Sequence, residues 1–276
     1  MNKTLKKALI SFIIPVIIIV IAFANNIWFG LAAILLYISV LLYKFKVKFY
    51  MLIGSRNYAN GKTEQALKWL KRAHETNKSG ARPSVSYAYI LLRSADLVKS
   101  EEILQKLLKD KPASQDLPYI KSNLSLVLWK KGDLDAAVSL LEDVMQTYKT
   151  TTTYGSLGYL YILKGDLEKA LQFNLEAQEY NSTDKVILDN LGQNYYLLDM
   201  YDKAKEIYEP LVAQAPTFPE PYYNYGLVLW KLGEAEAALE IIKKALNHKF
   251  SYLSSISKEE VESKIQEISS GLKTVE

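Results

Sequence analysis

The stretch Thr151–Ser182, TTTYGSLGYLYILKGDLEKALQFNLEAQEYNS, decides the fold. Its apolar residues recur at helical spacing on both sides of Gly165, and the Lys-Gly-Asp sequence there is typical of a turn. The stretch therefore predicts two short amphipathic helices. Neither helix buries its apolar stripe alone, so the pair requires neighbours stacked against it.

The same turn recurs along the chain. Aligned turn residues are spaced 34, 37, 33, 34 and 34 apart, and they are Gly61, Ala95, Gly132, Gly165, Asp199 and Gly233. Seven positions before each turn lies a small residue: Gly54, Ala88, Ser125, Gly158, Gly192 and Gly226. Five positions after it lies another: Ala66, Ser100, Ala137, Ala170, Ala204 and Ala238. Small side chains at both places allow the two helices of each pair to approach closely.

This pattern resembles the tetratricopeptide repeat, which has a period of about 34 residues and the motif W-x2-L-G-x2-Y followed by Ala, an aromatic residue, Ala and Pro. The resemblance covers 47–252 and is strongest in the last three units, with Pro112 and Pro216 at the terminal proline position. It implies an all-α solenoid of about six helix pairs. The predicted units are 47–80, 81–114, 118–150, 151–184, 185–218 and 219–252. A capping helix and tail at 253–276 complete the array.

Composition separates the N-terminal part of the chain from the rest. The 276 residues include no cysteine, which excludes disulfides and thiolate metal sites. Residues 1–56 hold seven of the 34 basic residues and no acidic one, leaving 27 basic against 30 acidic residues in 57–276. A slightly acidic array gives no reason to expect nucleic acid, because phosphate binding needs clustered Lys and Arg.

The basic N-terminal part predicts a membrane anchor at 1–46. Two uncharged apolar runs, 8–24 and 27–43, flank Asn25-Asn26, and each spans about 26 Å as a helix, the short end for crossing a bilayer. Lysines lie outside both runs and none lies between them, which places both termini and the array in the cytoplasm. The residues expected to meet anionic headgroups are Lys44, Lys46 and Lys48.

Two alternatives to this hairpin remain open from the sequence. Residues 1–24 have the form of a cleavable signal peptide, and the short runs also fit a re-entrant hairpin within one leaflet. No Gly-, Pro- or Ser-rich linker separates the second run from the first repeat helix at about Val47. We therefore expect the span to continue directly into the array.

The sequence predicts no enzyme, cofactor or metal site. The two histidines, His74 and His248, have no Cys or paired acid beside them, and no phosphate-binding loop or serine nucleophile motif is present. Asp133, Asp166 and Glu234 follow turn glycines, where an acidic side chain caps the second helix. Ser257 and Glu260 predict a capping box for the last helix.

A surface is the remaining candidate site. In the family that the sequence resembles, the first helices line a concave groove that binds extended peptides or partner helices. The resemblance places in this groove Asn123, Trp129, Tyr159, Asn190, Gln193, Tyr196, Tyr223, Asn224 and Trp230. Side-chain amides offer a donor and an acceptor to a peptide, and large aromatics dominate binding hot spots. Alternatively, the asparagines tie adjacent repeats together and the aromatics pack between them.

The leading hypothesis is a membrane-anchored adaptor or scaffold, similar to bacterial envelope-associated repeat proteins, that binds a protein or peptide at the cytoplasmic face. Its other expected contact is membrane lipid, with no nucleic acid or small-molecule substrate. The alternative is a structural subunit of an integral-membrane complex, recognised through the hairpin or by self-association. Lys130 and Lys231 lie about three units apart, which disfavours a clamp for a C-terminal carboxylate.

Overall fold

The computed structural model describes residues 12–76 and 80–273, and all regular structure in these ranges is helical. Contacts divide the chain into two compact units, Met1–Lys78 and Ser79–Glu276. The first contains α1 (Ile14–Asn25), α2 (Ile27–Ala59) and α3 (Thr63–Thr76). The second contains α4 (Arg82–Arg93), α5 (Leu97–Lys109), α6 (Leu117–Lys130), α7 (Leu134–Thr147), α8 (Thr151–Lys164), α9 (Leu167–Tyr180), α10 (Lys185–Leu197), α11 (Tyr201–Ala213), α12 (Glu220–Lys231), α13 (Ala235–Ala245) and α14 (Lys258–Lys273).

The apolar segment of the first unit breaks where the sequence indicated. Asn26 adopts an extended conformation between α1 and α2, and its side chain accepts a hydrogen bond from the Trp28 amide. Helix α2 then runs for 33 residues without interruption, as the absence of a linker predicted. Among the described residues α2 alone is long and apolar enough to cross a membrane, whereas α1 has 12 residues. Residues 8–11 of the first expected span lie outside the described residues.

The turns between paired helices confirm the repeating pattern. All six aligned turn residues have positive φ, with values of 75° for Gly61, 65° for Ala95, 90° for Gly132, 82° for Gly165, 57° for Asp199 and 83° for Gly233. Left-handed backbone is costly for residues with a Cβ and free for glycine. Four of the six positions are therefore glycine, and Ala95 and Asp199 hold the same turn under strain.

Ala95→Gly is expected to raise the free energy of unfolding by up to about 1 kcal/mol, because glycine adopts the left-handed conformation without penalty. Gly165→Ala is expected to lower it by a similar amount. A Cβ at Gly165 meets no atom within 4 Å, so its backbone conformation alone sets the cost. Chemical denaturation of the full-length protein in detergent measures both changes. If both variants changed the free energy of unfolding in the same direction, this explanation would be contradicted.

Close approach within each pair explains the small residues. A Cβ built on Gly192 would lie 2.6 Å from the ring of Tyr208, so only glycine fits there. Where the small residue is serine, its hydroxyl contributes a hydrogen bond across the pair. Ser125 donates to the Ala137 carbonyl at 2.9 Å.

The predicted helix caps are confirmed at three places and wrong at one. Asp133 and Asp166 accept from backbone amides of the helices they begin, and Ser257 and Glu260 form the reciprocal capping box of α14. Glu234 makes no capping hydrogen bond. It accepts instead from Lys205 Nζ at 2.7 Å, because its longer side chain reaches the preceding pair.

Candidate partner-binding groove

The first helices of the later pairs form a common face. Helix α8 contacts α10, and α10 contacts α12, in addition to the contacts each makes with its own second helix. We use the term inner face for one set of side chains. These are the side chains that α6, α8, α10 and α12 present to one another and to the chain that follows α13. The resemblance places the predicted groove residues on these four helices.

One peptide group is held on the inner face by two charged side chains. Lys130 Nζ of α6 lies 3.4 Å from the Ser254 carbonyl oxygen, to which it donates, and the Ser255 amide donates to Glu220 Oε1 of α12 at 3.1 Å. The two backbone atoms belong to one planar peptide unit. Helices α6 and α12, three pairs apart, therefore come within reach of a single peptide group. Lys130 and Glu220 are called the peptide clamp below.

The electrostatics of the clamp follow from its burial. Burial lowers the pKa of Lys130, and the nearby Glu220 carboxylate opposes that shift. Glu220 is only 9% exposed, and the Ser255 amide is its hydrogen-bond donor. The Ser255–Glu220 hydrogen bond of 3.1 Å is the shorter of the two, and the Lys130 bond of 3.4 Å is long for a hydrogen bond.

The clamped chain belongs to the connection between α13 and α14, which the sequence did not predict to enter the groove. We call residues 251–257 the C-terminal segment. Leu253 packs against the apolar cluster built from Ala81 to Val127, and Ile256 packs against the cluster of the last pairs. Hydrogen bonds between Ser251 and Ser254 fold the segment into a turn. The expected open groove is therefore partly filled by the protein itself.

Two predicted groove aromatics lie beside the clamp. The rings of Trp129 and Tyr159 meet edge to face with centroids 5.4 Å apart. Lys130 Nζ lies 4.1 Å from the Trp129 ring centroid and 5.3 Å from that of Tyr252 in the segment. Burial raises the pKa of Tyr159 to about 12, and its hydrogen bond with Ser255 works in the opposite direction. These aromatics shield the clamp from water.

The other predicted aromatics lie toward the end of the array. Lys264 of α14 places its Nζ 4.6 Å from the Trp230 ring centroid, so the last helix covers this tryptophan. Tyr223 packs against the same apolar cluster as Trp230, and the Tyr196 ring lies 5.7 Å from that of Tyr201. Gln193, on α10, is half-buried.

The three predicted asparagines bond within the solenoid. Asn190 donates to the Gly155 carbonyl at 2.7 Å and Asn224 donates to Asp189 Oδ1 at 3.1 Å, so each joins its first helix to the preceding one. Asn123 donates to the Tyr119 carbonyl of its own helix. Asn190 and Asn224 therefore connect adjacent repeats. This is the alternative role that the sequence left open for the asparagines.

Asp189 is a buried acid that lies behind the inner face. It is 6% exposed and accepts hydrogen bonds from the Tyr208 hydroxyl and the Asn224 amide. Its pKa is raised to about 7, chiefly by burial and then by the Glu220 carboxylate, while the two donors oppose the shift. In the described residues, no group of three or more His, Asp and Glu side chains is arranged to hold a metal ion.

Known proteins share this sequence pattern and fold. Profiles described as tetratricopeptide repeat match residues 119–151, 151–184, 188–217 and 219–248. A tetratricopeptide repeat protein from Parabacteroides merdae superposes with a TM-score of 0.64 at 12% identity, covering 92% of this chain and 98% of that one. For PilW, a type IV pilus biogenesis factor, the TM-score is 0.60 at 14% identity, covering 72% and 91%.

The curated relatives are much longer proteins. BBSome complex member BBS4 of Bos taurus is 30% identical over 117 residues, which are 42% of this chain and 22% of that protein. A TPR repeat-containing protein of Methanocaldococcus jannaschii is 23% identical over 155 residues, and the chain spans 27% of its length. Residues 119–248 are therefore tetratricopeptide repeats of an all-helical solenoid.

Proposed function

We propose that this protein is a membrane-anchored adaptor that binds a segment of a protein partner on its inner face. The peptide clamp carries the proposal. Lys130 and Glu220 contact a backbone carbonyl and a backbone amide, so the bonds they form do not depend on the side chains of the bound segment. Trp129 and Tyr159 beside them supply the flat apolar contacts that dominate protein interfaces.

The anchor in this proposal is the N-terminal apolar segment. Helix α2 is long and apolar enough for a span. Its apolar part is followed, within the same helix, by Lys44, Lys46 and Lys48. Lysines at the end of a span favour the cytoplasmic side, and each near an anionic surface contributes about 1 kcal/mol. Lys46 Nζ lies 4.3 Å from the Tyr43 ring centroid, a pairing suited to the headgroup region. The inner face would then act at the cytoplasmic surface.

Trp129→Ala with Tyr159→Ala is expected to lower partner capture at least tenfold, because truncating large aromatics at an interface costs about 1–2 kcal/mol or more each. Capture is measured by photocrosslinking from the inner face in cells, followed by mass spectrometry. Leu175→Ala with Tyr180→Ala is the matched control, since both residues lie exposed on the second helix α9. Unchanged capture by the inner-face variant would refute the proposal.

Exchanging residues 1–46 for an unrelated membrane hairpin distinguishes the adaptor from the structural alternative. An adaptor that binds through the inner face keeps its crosslinked partners after the exchange. A subunit recognised through its hairpin loses them. The measurement is the same crosslinking experiment, so the two results are directly comparable.

A further inference from the structure

The C-terminal segment is held through its backbone and through two partly buried side chains, Leu253 and Ile256. Its side chains are not part of the core: Tyr252 is 37% exposed and Leu253 is half-buried, whereas core leucines such as Leu104 and Leu141 are fully buried. Its contacts with the first helices include the two clamp bonds at Ser254–Ser255 and the hydrogen bond between Ser255 and Tyr159. A segment held this way leaves without opening the solenoid core.

The occupied site accepts a limited class of chain. An aromatic residue reaches Lys130 from one side, and a leucine enters the apolar cluster of the second and third pairs. The next two residues are serines, and their shared peptide group lies between the two charged side chains. Small side chains at these two positions allow Lys130 and Glu220 to reach one peptide group from opposite directions.

We propose that the C-terminal segment is an intramolecular ligand that closes the inner face, and that a protein partner binds by replacing it with an aromatic-leucine-small-small segment that forms the same turn. This inference rests on the proposed function. It specifies the class of partner segment and the way in which access to the inner face is regulated. The segment is tethered at both ends, by α13 and α14, so it competes at an effective concentration of about millimolar. A partner binds with an affinity reduced by the fraction of molecules that are open.

The test uses a fluorescent peptide with the sequence of residues 249–257, KFSYLSSIS, and full-length protein in detergent. Leu253→Ser removes the apolar anchor of the internal segment and leaves the inner face unchanged. Fluorescence anisotropy is expected to show at least about tenfold tighter peptide binding to this variant than to wild type. Leu175→Ser makes the same change on α9 and is expected to bind the peptide as wild type does.

A second variant opens the segment by another route. Ser255→Pro removes the backbone N–H that donates a hydrogen bond to Glu220, and it leaves Leu253 in place. It is expected to tighten peptide binding in the same way. Hydrogen exchange, measured by mass spectrometry on the fragment spanning residues 250–257, is expected to rise in Leu253→Ser. Adding Lys130→Met to either variant is expected to abolish the gain, because the peptide carbonyl then loses its donor.

Three results would overturn this inference. Equal peptide affinity of wild type and both opened variants would show that the segment does not compete, while the inner face would still be a binding site. An absence of peptide binding to all variants would show that the inner face does not recognise this sequence as a separate ligand. Concentration-dependent dimers of the opened variants in light scattering would show exchange between copies. The crosslinking experiment tests the adaptor function independently of all three.

Discussion

Asp189→Asn is expected to raise the free energy of unfolding by about 3 kcal/mol more at pH 8 than at pH 5. The buried carboxyl of Asp189 has a pKa of about 7 in the folded protein, whereas an unfolded aspartate has a pKa of about 3.9. Asparagine keeps the shape and the acceptor oxygen but does not titrate. Urea denaturation of both full-length proteins in detergent at the two pH values measures the difference.

The sign follows from which state holds the proton. Between about pH 4 and pH 7 the folded protein keeps Asp189 protonated and the unfolded chain has lost that proton, so this group lowers stability as the pH rises. Above pH 7 both states are ionised, and the full penalty remains. The penalty is at most about 4 kcal/mol, from the difference between the two pKa values.

The groups that face Asp189 come from three other helices. Glu220 of α12 raises its pKa, and the Tyr208 hydroxyl of α11 and the Asn224 amide of α12 lower it. Asp189 in turn raises the pKa of Tyr159 on α8. Glu220 also accepts a hydrogen bond from the Ser255 amide. The repulsion between Asp189 and Glu220 therefore acts on one of the two residues of the clamp.

Asp135→Asn is the matched control for this prediction. It makes the same chemical change at a carboxylate whose side chain is 85% exposed and paired with Lys164 at 2.6 Å. Exposed ion pairs contribute about 0–1 kcal/mol, so the control is expected to show no comparable pH dependence. An Asp189→Asn effect of equal size at pH 5 and pH 8 would mean that Asp189 does not titrate between them.

The repeating part of the fold follows from local sequence because each pair repeats the same few constraints. A left-handed turn needs glycine or a strained substitute, and Gly132 and Ala95 both hold that conformation. A close helix crossing needs a small residue, and Gly54 lies against Leu70 in the first pair as Gly192 lies against Tyr208 in the fifth. These constraints act over a few tens of residues, so the period alone reveals them.

The clamp depends on curvature that accumulates over several pairs, and no local pattern encodes it. Lys130 and Glu220 are ninety residues apart in the chain, and their meeting point is a connection without regular structure. The sequence resemblance predicted Trp129 and Tyr159 as groove residues, and Lys130 is the next residue after Trp129. It gave no signal that residues 251–257 return to this face, because a serine-rich connection before a capping box is also typical of an exposed loop.

The roles of the asparagines were open from the sequence for a different reason. An amide at the same repeat position serves either a partner backbone or the neighbouring repeat, and only the separation between first helices decides which. Asn190 reaches the Gly155 carbonyl at 2.7 Å, and Asn224 reaches Asp189 at 3.1 Å. Each of these bonds joins residues 35 positions apart, one repeat along the array. The separation between first helices is thus matched to the reach of one amide side chain.

Gly226→Ala is expected to lower the free energy of unfolding by about 2–3 kcal/mol, although alanine favours a helix over glycine by about 1 kcal/mol. The new Cβ would lie 2.1 Å from Ile242 Cγ1 and 3.0 Å from the Ala238 carbonyl oxygen. Ile242 is fully buried and the second contact is backbone, so neither atom moves without shifting α13. Chemical denaturation of the full-length protein in detergent measures the loss.

A double-mutant cycle tests whether this contact is the cause. Ile242→Ala alone is expected to cost about 2–5 kcal/mol by leaving a cavity. In the Ile242→Ala background the Cγ1 that the new Cβ of Gly226→Ala would meet is gone, and that Cβ fills part of the cavity. The double variant is therefore expected to lose at least about 2 kcal/mol less than the sum of the single changes. Gly155→Ala is the matched control: its Cβ would meet Val186 Cγ1 at 3.1 Å, and Val186 is 45% exposed and has room to move. That variant is expected to be neutral or up to about 1 kcal/mol more stable. Additive losses in the cycle, or a loss at Gly155 equal to that at Gly226, would show that close helix crossing does not explain glycine at this position.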